Sequence, residues 1–139
     1  MHSSGSRYDQ GMTLVEIFIV MLIIGIVALI SIPRFTRATD RARITAAVDE
    51  LHYVRRALSM YQAERGYFPK LENADYYSLK NLLVDDFGHP YMSLPDTPEF
   101  DIASFTYTSD GDTYYIRVKA KDTKGTWIHA SQDGVETVE

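Results

Sequence analysis

The apolar and polar positions divide this chain into segments of different period. Residues 1–11, MHSSGSRYDQG, are polar, and Leu14 to Ile32, LVEIFIVMLIIGIVALISI, is nineteen residues of apolar character broken by one charge, Glu16. As a helix rising about 1.5 Å per residue, that run spans roughly 28 Å, the thickness of a bilayer's hydrocarbon core. It is apolar on every face and too long for the buried helix of a domain this size. Pro33 closes it. Beyond Pro33 the pattern turns amphipathic: Ile44, Ala47, Val48, Leu51, Val54, Leu58 and Tyr61 recur at steps of three and four. Gly66 then stands as a natural C-cap with Pro69 just beyond. These signals predict one helix from about Met12 to Arg65, with Gly25 and Pro33 as its weak points.

After the helix the period changes. Tyr67 to about Ala103 reads as a long connector rich in Pro and aromatics. One short helix is expected near Tyr76–Val84, with Leu79, Leu82 and Leu83 inward, followed by a turn at Gly88-His89-Pro90-Tyr91. Strands follow at Ser104–Thr108, Thr113–Ala120 and Thr126–Ala130, with a possible fourth at Val135–Val138. Asp110-Gly111, Asp122 to Gly125 and Asp133-Gly134 supply the turns. One sheet face should pack on the helix and bury Phe105, Tyr107, Tyr115 or Ile116, and Trp127. The fold class is therefore α+β: a long N-terminal helix against a small antiparallel sheet. The expected divisions are 1–11, 12–33, 34–65 and 66–139.

Charge sharpens this division. The chain has 139 residues and a net charge of −5. From Arg34 to Arg65 there are seven Arg against four acids, whereas from Gly66 onward six basic residues face thirteen acidic ones. A basic stem and an acidic head can guide one subunit's head toward another's stem, or can simply be two solvated faces. The overall balance argues against disorder and against nucleic-acid binding. With no cysteine, thiol catalysis, Fe–S clusters and Cys-ligated zinc are excluded. His2, His52, His89 and His129 form no i, i+4 pair, and no phosphate-binding Gly loop or Gly-X-Ser-X-Gly elbow occurs. No cofactor or metal is expected. Asp110, Asp112 and Asp133 do not reproduce an EF-hand and read as turn residues, and the ten Tyr and six Phe read as core and interface residues.

The junction between leader and apolar run carries the distinctive residues, Gly11-Met12-Thr13-Leu14-Val15-Glu16. It resembles the cleavage and methylation motif of type IV prepilins and type II secretion pseudopilins. The Gly, the Glu five residues beyond it and Pro33 closing the run make the combination specific. The sequence departs from the family pattern in having Met12 where Phe is usual, and only Arg7 as a basic leader residue. The match covers residues 11 to about 65; beyond that it is architectural, apart from a Gly-X-Pro-Tyr stretch at Gly88-His89-Pro90-Tyr91 like that of the major pseudopilin.

The resemblance implies cleavage after Gly11 by a prepilin peptidase, methylation of the Met12 amine, and retention of the apolar helix. It further implies that Glu16 neutralises the N-terminal amine of a neighbouring subunit in a helical homopolymer. Partners would be further copies of the chain and the inner-membrane assembly platform with its ATPase. The leader would be cytoplasmic, with a periplasmic or extracellular filament after assembly and unwinding possible between Gly25 and Pro33. Counting basic flanks instead, Arg7 before the span against Arg34, Arg37, Arg41 and Arg43 after it, would leave the C-terminal part in the cytoplasm. Two other classes stay open: a single-pass anchored binding or sensor domain that does not polymerise, and a membrane-tethered enzyme. For the enzyme no catalytic constellation is visible.

Overall fold

The computed structural model of the protein describes residues 13–138. Helix α1 spans Leu14–Arg65, and the chain divides after Arg37 into two units. In the first unit, the described residues are the start of α1. None of its apolar window, of mean hydropathy 3.0, is buried, so Leu14 is 84% exposed and Leu29 75%. A soluble domain does not leave so large an apolar surface uncovered.

The second unit is the rest of α1 with the remaining elements: β1 (Leu71–Ala74), α2 (Tyr76–Leu82), β2 (Phe100–Ser109), β3 (Tyr114–Ala120), β4 (Trp127–Ser131) and β5 (Val135–Val138). The strands form one antiparallel sheet in sequence order. Ala47, Leu51, Val54, Ala57, Leu58 and Tyr61 make the buried stripe of α1, with Ile44 and Val48 half-buried beside it. The stripe joins Phe105, Tyr107, Ile116, Val118, Ile128 and Ala130 of the sheet in one core. This is the stem-on-sheet packing that the three-four spacing predicts. Gly66 ends the helix in the left-handed region, at φ +82°, its N–H donating to the Gln62 carbonyl at 2.7 Å.

Four expectations need correction. The sheet has five strands, because β1 pairs with β2 inside what reads as connector. Second, β2 begins at Phe100, four residues before the predicted Ser104. An irregular bulge hides its start: residues 102–105 stand opposite Val118 alone, between the pairs Asp101–Lys119 and Thr106–Arg117. The Ser104 hydroxyl repairs the ladder, donating to the Asp101 carbonyl at 2.7 Å and accepting the Lys119 N–H at 2.8 Å. The bulge also turns both Phe100 and Phe105 inward, stacked at 5.6 Å with the Tyr76 ring edge-on to each.

Third, Trp127 lies on the outer sheet face, because Ile128 and Ala130 occupy the inward positions of β4. Arg117 and Lys119 cover its ring there at 4.6 and 4.8 Å. Of the pair Tyr115 or Ile116, it is Ile116 that is buried. Fourth, α2 buries Leu79, and Leu83 just past its end is buried too, but Leu82 is 43% exposed. Asp75 caps α2, accepting the Ser78 N–H at 3.2 Å.

Candidate assembly segment

Gly11 and Met12, the expected cleavage and methylation positions, lie outside the described residues. The described segment opens at Thr13, and its first turn is a reciprocal cap. The Thr13 N–H donates to Glu16 Oε2 at 2.9 Å, and the Glu16 N–H donates to Thr13 Oγ1 at 3.3 Å. Thr13 is thus the N-cap of α1 and Glu16 its N3 residue, a capping box that satisfies two of the helix's orphan donors. The Thr-X-X-Glu spacing spells this box in the sequence, but Glu16 was read there only for its charge. The carboxylate sits at the positive end of the helix dipole and is the one acid of the apolar run.

Helix α1 is continuous through both expected weak points. An added Cβ on Gly25 would meet no atom within 4 Å, so no steric demand for glycine arises within this chain. Pro33 has no N–H to offer the Leu29 carbonyl. Hydroxyls flank it: Ser31 Oγ donates to the Val27 carbonyl at 2.9 Å, and Thr36 Oγ1 to that of Ile32 at 3.1 Å. Back-bonding of this kind weakens and bends helices, so three successive turns around Pro33 carry softened backbone bonding.

In the second unit, polar side chains of α1 hold the loops between strands. Asp40 accepts the Thr123 N–H at 3.0 Å and its hydroxyl at 2.5 Å, bonds that hold its carboxyl below the ordinary value. Arg43 donates to the Lys121 carbonyl at 2.7 Å, and Arg55 to those of Ser131 and Gln132 at 2.8 and 3.1 Å. Arg65 pairs with Asp86 at 3.0 Å. These tethers escaped the sequence reading, since an arginine on a helix does not announce which carbonyl it meets.

The Gly88-His89-Pro90-Tyr91 turn is organised by Asp85, whose carboxylate accepts the N–H groups of Phe87 and His89 at 2.9 and 2.8 Å. The His89 bond is the main reason its carboxyl is held low. Asp110 likewise serves its own hairpin, accepting from the Thr113 and Asp112 N–H groups at 2.8 and 2.9 Å. Among the described residues no three His, Cys, Asp or Glu side chains are grouped to hold a metal.

Comparison with known proteins bears on the N-terminal segment first. Residues 6–32 match the family model described as the prokaryotic N-terminal methylation motif. The type II secretion system core protein G of Pseudomonas aeruginosa is 28% identical, over 76% of this chain and 87% of its own length. The protein of the same name from Aeromonas hydrophila is 26% identical over the same shares. A fimbrial protein of Pseudomonas aeruginosa is 30% identical over 67% of this chain and 64% of its own. In its N-terminal motif and in these relatives, the chain is similar to type IV pilins and pseudopilins. The prepilin motif and the apolar helix fit anchoring in the inner membrane and residence in a filament.

Proposed function

We propose that the chain is a structural filament subunit, a pilin or major-pseudopilin-like protein that inserts in the inner membrane and polymerises through its stem. The observation that carries this reading is the apolar run Leu14–Ile32, exposed all round and interrupted only by Glu16. A carboxylate in that run costs about 2–3 kcal/mol at mid-bilayer and less near the interface, and a cationic partner in a filament would offset more of that cost than its own helix cap does.

In this reading residues 1–11 are removed by a prepilin peptidase after Gly11, and the Met12 amine is methylated. Residues 12–33 anchor and pack, 34–65 form the stem of the head, and 66–139 complete it. In the membrane pool, Glu16 is held by its own Thr13; on assembly it turns to the cationic amine of a neighbour and sets the register. Because an unpaired charge is costly away from water, that pairing selects the correct neighbour. Gly25 and Pro33 supply the give a helix needs to be drawn out of a bilayer into a fibre. An assembly platform and its ATPase supply the work.

Glu16→Gln tests this, since it keeps the shape and the capping acceptor while removing the charge. The variant should insert in the membrane at wild-type level and yield no sheared or chemically trapped polymer. Polymer at wild-type level would refute the assembly role. A second reading, an anchored domain that does not polymerise, has Arg34, Arg37, Arg41 and Arg43 in its favour, since they would hold the head on the cytoplasmic side. Protease added to spheroplasts separates the two: it digests the head only if the filament reading's topology holds.

A further inference from the structure

A cavity of about 360 Å³ opens in the head between the stem and the loop leading into β2. Its walls include Tyr53 and Val54 of α1, together with Tyr76, Leu94 and Phe100. The carboxylate among its lining residues is Glu50. One Glu50 oxygen accepts the Glu99 N–H at 2.5 Å, and the other has no protein partner among the described residues. The Tyr76 hydroxyl is already committed, donating to the Pro95 carbonyl at 2.8 Å. Burial raises the Glu50 carboxyl above its ordinary value and the Glu99 carboxylate adds to this, against the lowering effects of the Glu99 N–H and Lys121.

An apolar recess edged by a carboxylate that keeps one oxygen open to a partner suits a side chain with a methylene stem and a cationic tip. Aromatic walls favour the flat, weakly hydrated guanidinium over an ammonium. The chain carries such side chains in excess on its stem, where all seven basic residues from Arg34 to Arg65 are Arg. Arg43, Arg55 and Arg65 are engaged within the head. Arg34, Arg37 and Arg41 are exposed, share one helical face by their spacing, and stand just after the apolar run. That position borders the run which the filament reading packs against neighbouring copies.

We propose that the Glu50 recess receives an arginine, Arg34, Arg37 or Arg41, from the stem of a second copy of this chain. The inference rests on the filament reading above and names a contact that reading leaves open. Socket and arginine occupy different surfaces, so each copy keeps one of each unused after binding a neighbour. Such a head-to-tail contact can repeat from copy to copy, and where its rotation does not close a ring it builds a helical polymer. It also gives the basic stem and the acidic head a common purpose.

The test uses the full chain expressed in membranes with its assembly machinery, reading polymer yield and the melting temperature of the detergent-solubilised monomer. Glu50→Gln should lower polymer at least about tenfold, as expected for loss of a close interfacial charge pair. It should not lower the monomer's melting temperature. Glu50→Arg should abolish polymer, and one of Arg34→Glu, Arg37→Glu or Arg41→Glu in the same chain should restore it. Wild-type polymer from Glu50→Gln overturns the proposal. So does a loss that none of the three reversals rescues, which would assign the recess to a small cation or another protein's basic segment. A wild-type chain that makes no polymer and keeps its leader fails at the filament reading itself, and this contact falls with it.

Discussion

Truncating Leu51 to alanine separates the two roles of α1 by a measurable energy. Leu51 is fully buried in the stripe that α1 shares with the sheet, so its isobutyl group cannot be replaced by water without opening a cavity. Leu→Ala at such sites costs about 2–5 kcal/mol, the transfer term plus the void left by incomplete collapse. For a domain of roughly 100 residues each kcal/mol moves the midpoint by about 4–8 °C, so the melting temperature should fall by at least about 8 °C. Thr45→Ala, on the exposed side of the same helix, should stay within about 0.5 kcal/mol of wild type. Thermal melting of the full chain in detergent micelles, followed by near-ultraviolet circular dichroism of the head's aromatic residues, reads both variants on one scale. If Leu51→Ala melted with Thr45→Ala, the stem would not be part of the head's core and the packing described above would be wrong. Ile23→Ala, in the uncovered half of α1, should leave that melting temperature unchanged.

Gly111 sits at φ +103°, and a Cβ there would lie 2.5 Å from Lys70 Cε. Gly111→Ala should therefore cost about 1–3 kcal/mol in the same melting assay, whereas Gly134→Ala, at a position with open space, should cost less than about 1 kcal/mol. Arg55→Ala removes the fork that binds the Ser131 and Gln132 carbonyls; it should destabilise by about 1–2 kcal/mol, and Arg55→Lys should not fully restore the loss, because a point charge cannot reproduce the fork. Asp40, Asp75, Asp85 and Asp110 are each held below the ordinary value of 3.8 by hydrogen bonds from their own turns or tethers. A depressed carboxyl contributes stability that is present above its unfolded value and lost as pH falls through its folded one. The melting temperature should accordingly hold down to about pH 4 and then decline, the decline being smaller in Asp110→Asn; a flat profile to pH 2 would contradict these bonds.

The sequence showed the helices and the inner face of the sheet more clearly than its edges. Residues such as Leu51 and Leu58 lie on a three-four period, and β3 and β4 alternate cleanly, so these elements and their buried faces could be read directly. Trp127 was misplaced by its size, although the alternation of Ile128 and Ala130 already assigned it to the outer face. Strand β1 was hidden because Leu71–Ala74 is short, polar in the middle, and includes Asn73 at φ +50°, which no strand pattern signals. The start of β2 was hidden by its bulge, where Ser104 repairs the ladder through its side chain. In the N-terminal segment the charge of Glu16 stood out, while the Thr-X-X-Glu spacing that marks Thr13 as its capping partner was written in the sequence but masked by the apolar run beside it.

The intact mass of the protein taken from native membranes tests the central claim most directly. The account predicts a chain lacking residues 1–11 and carrying one added methyl group on Met12. A full-length, unmethylated chain would contradict it and leave an anchored domain that never enters a filament.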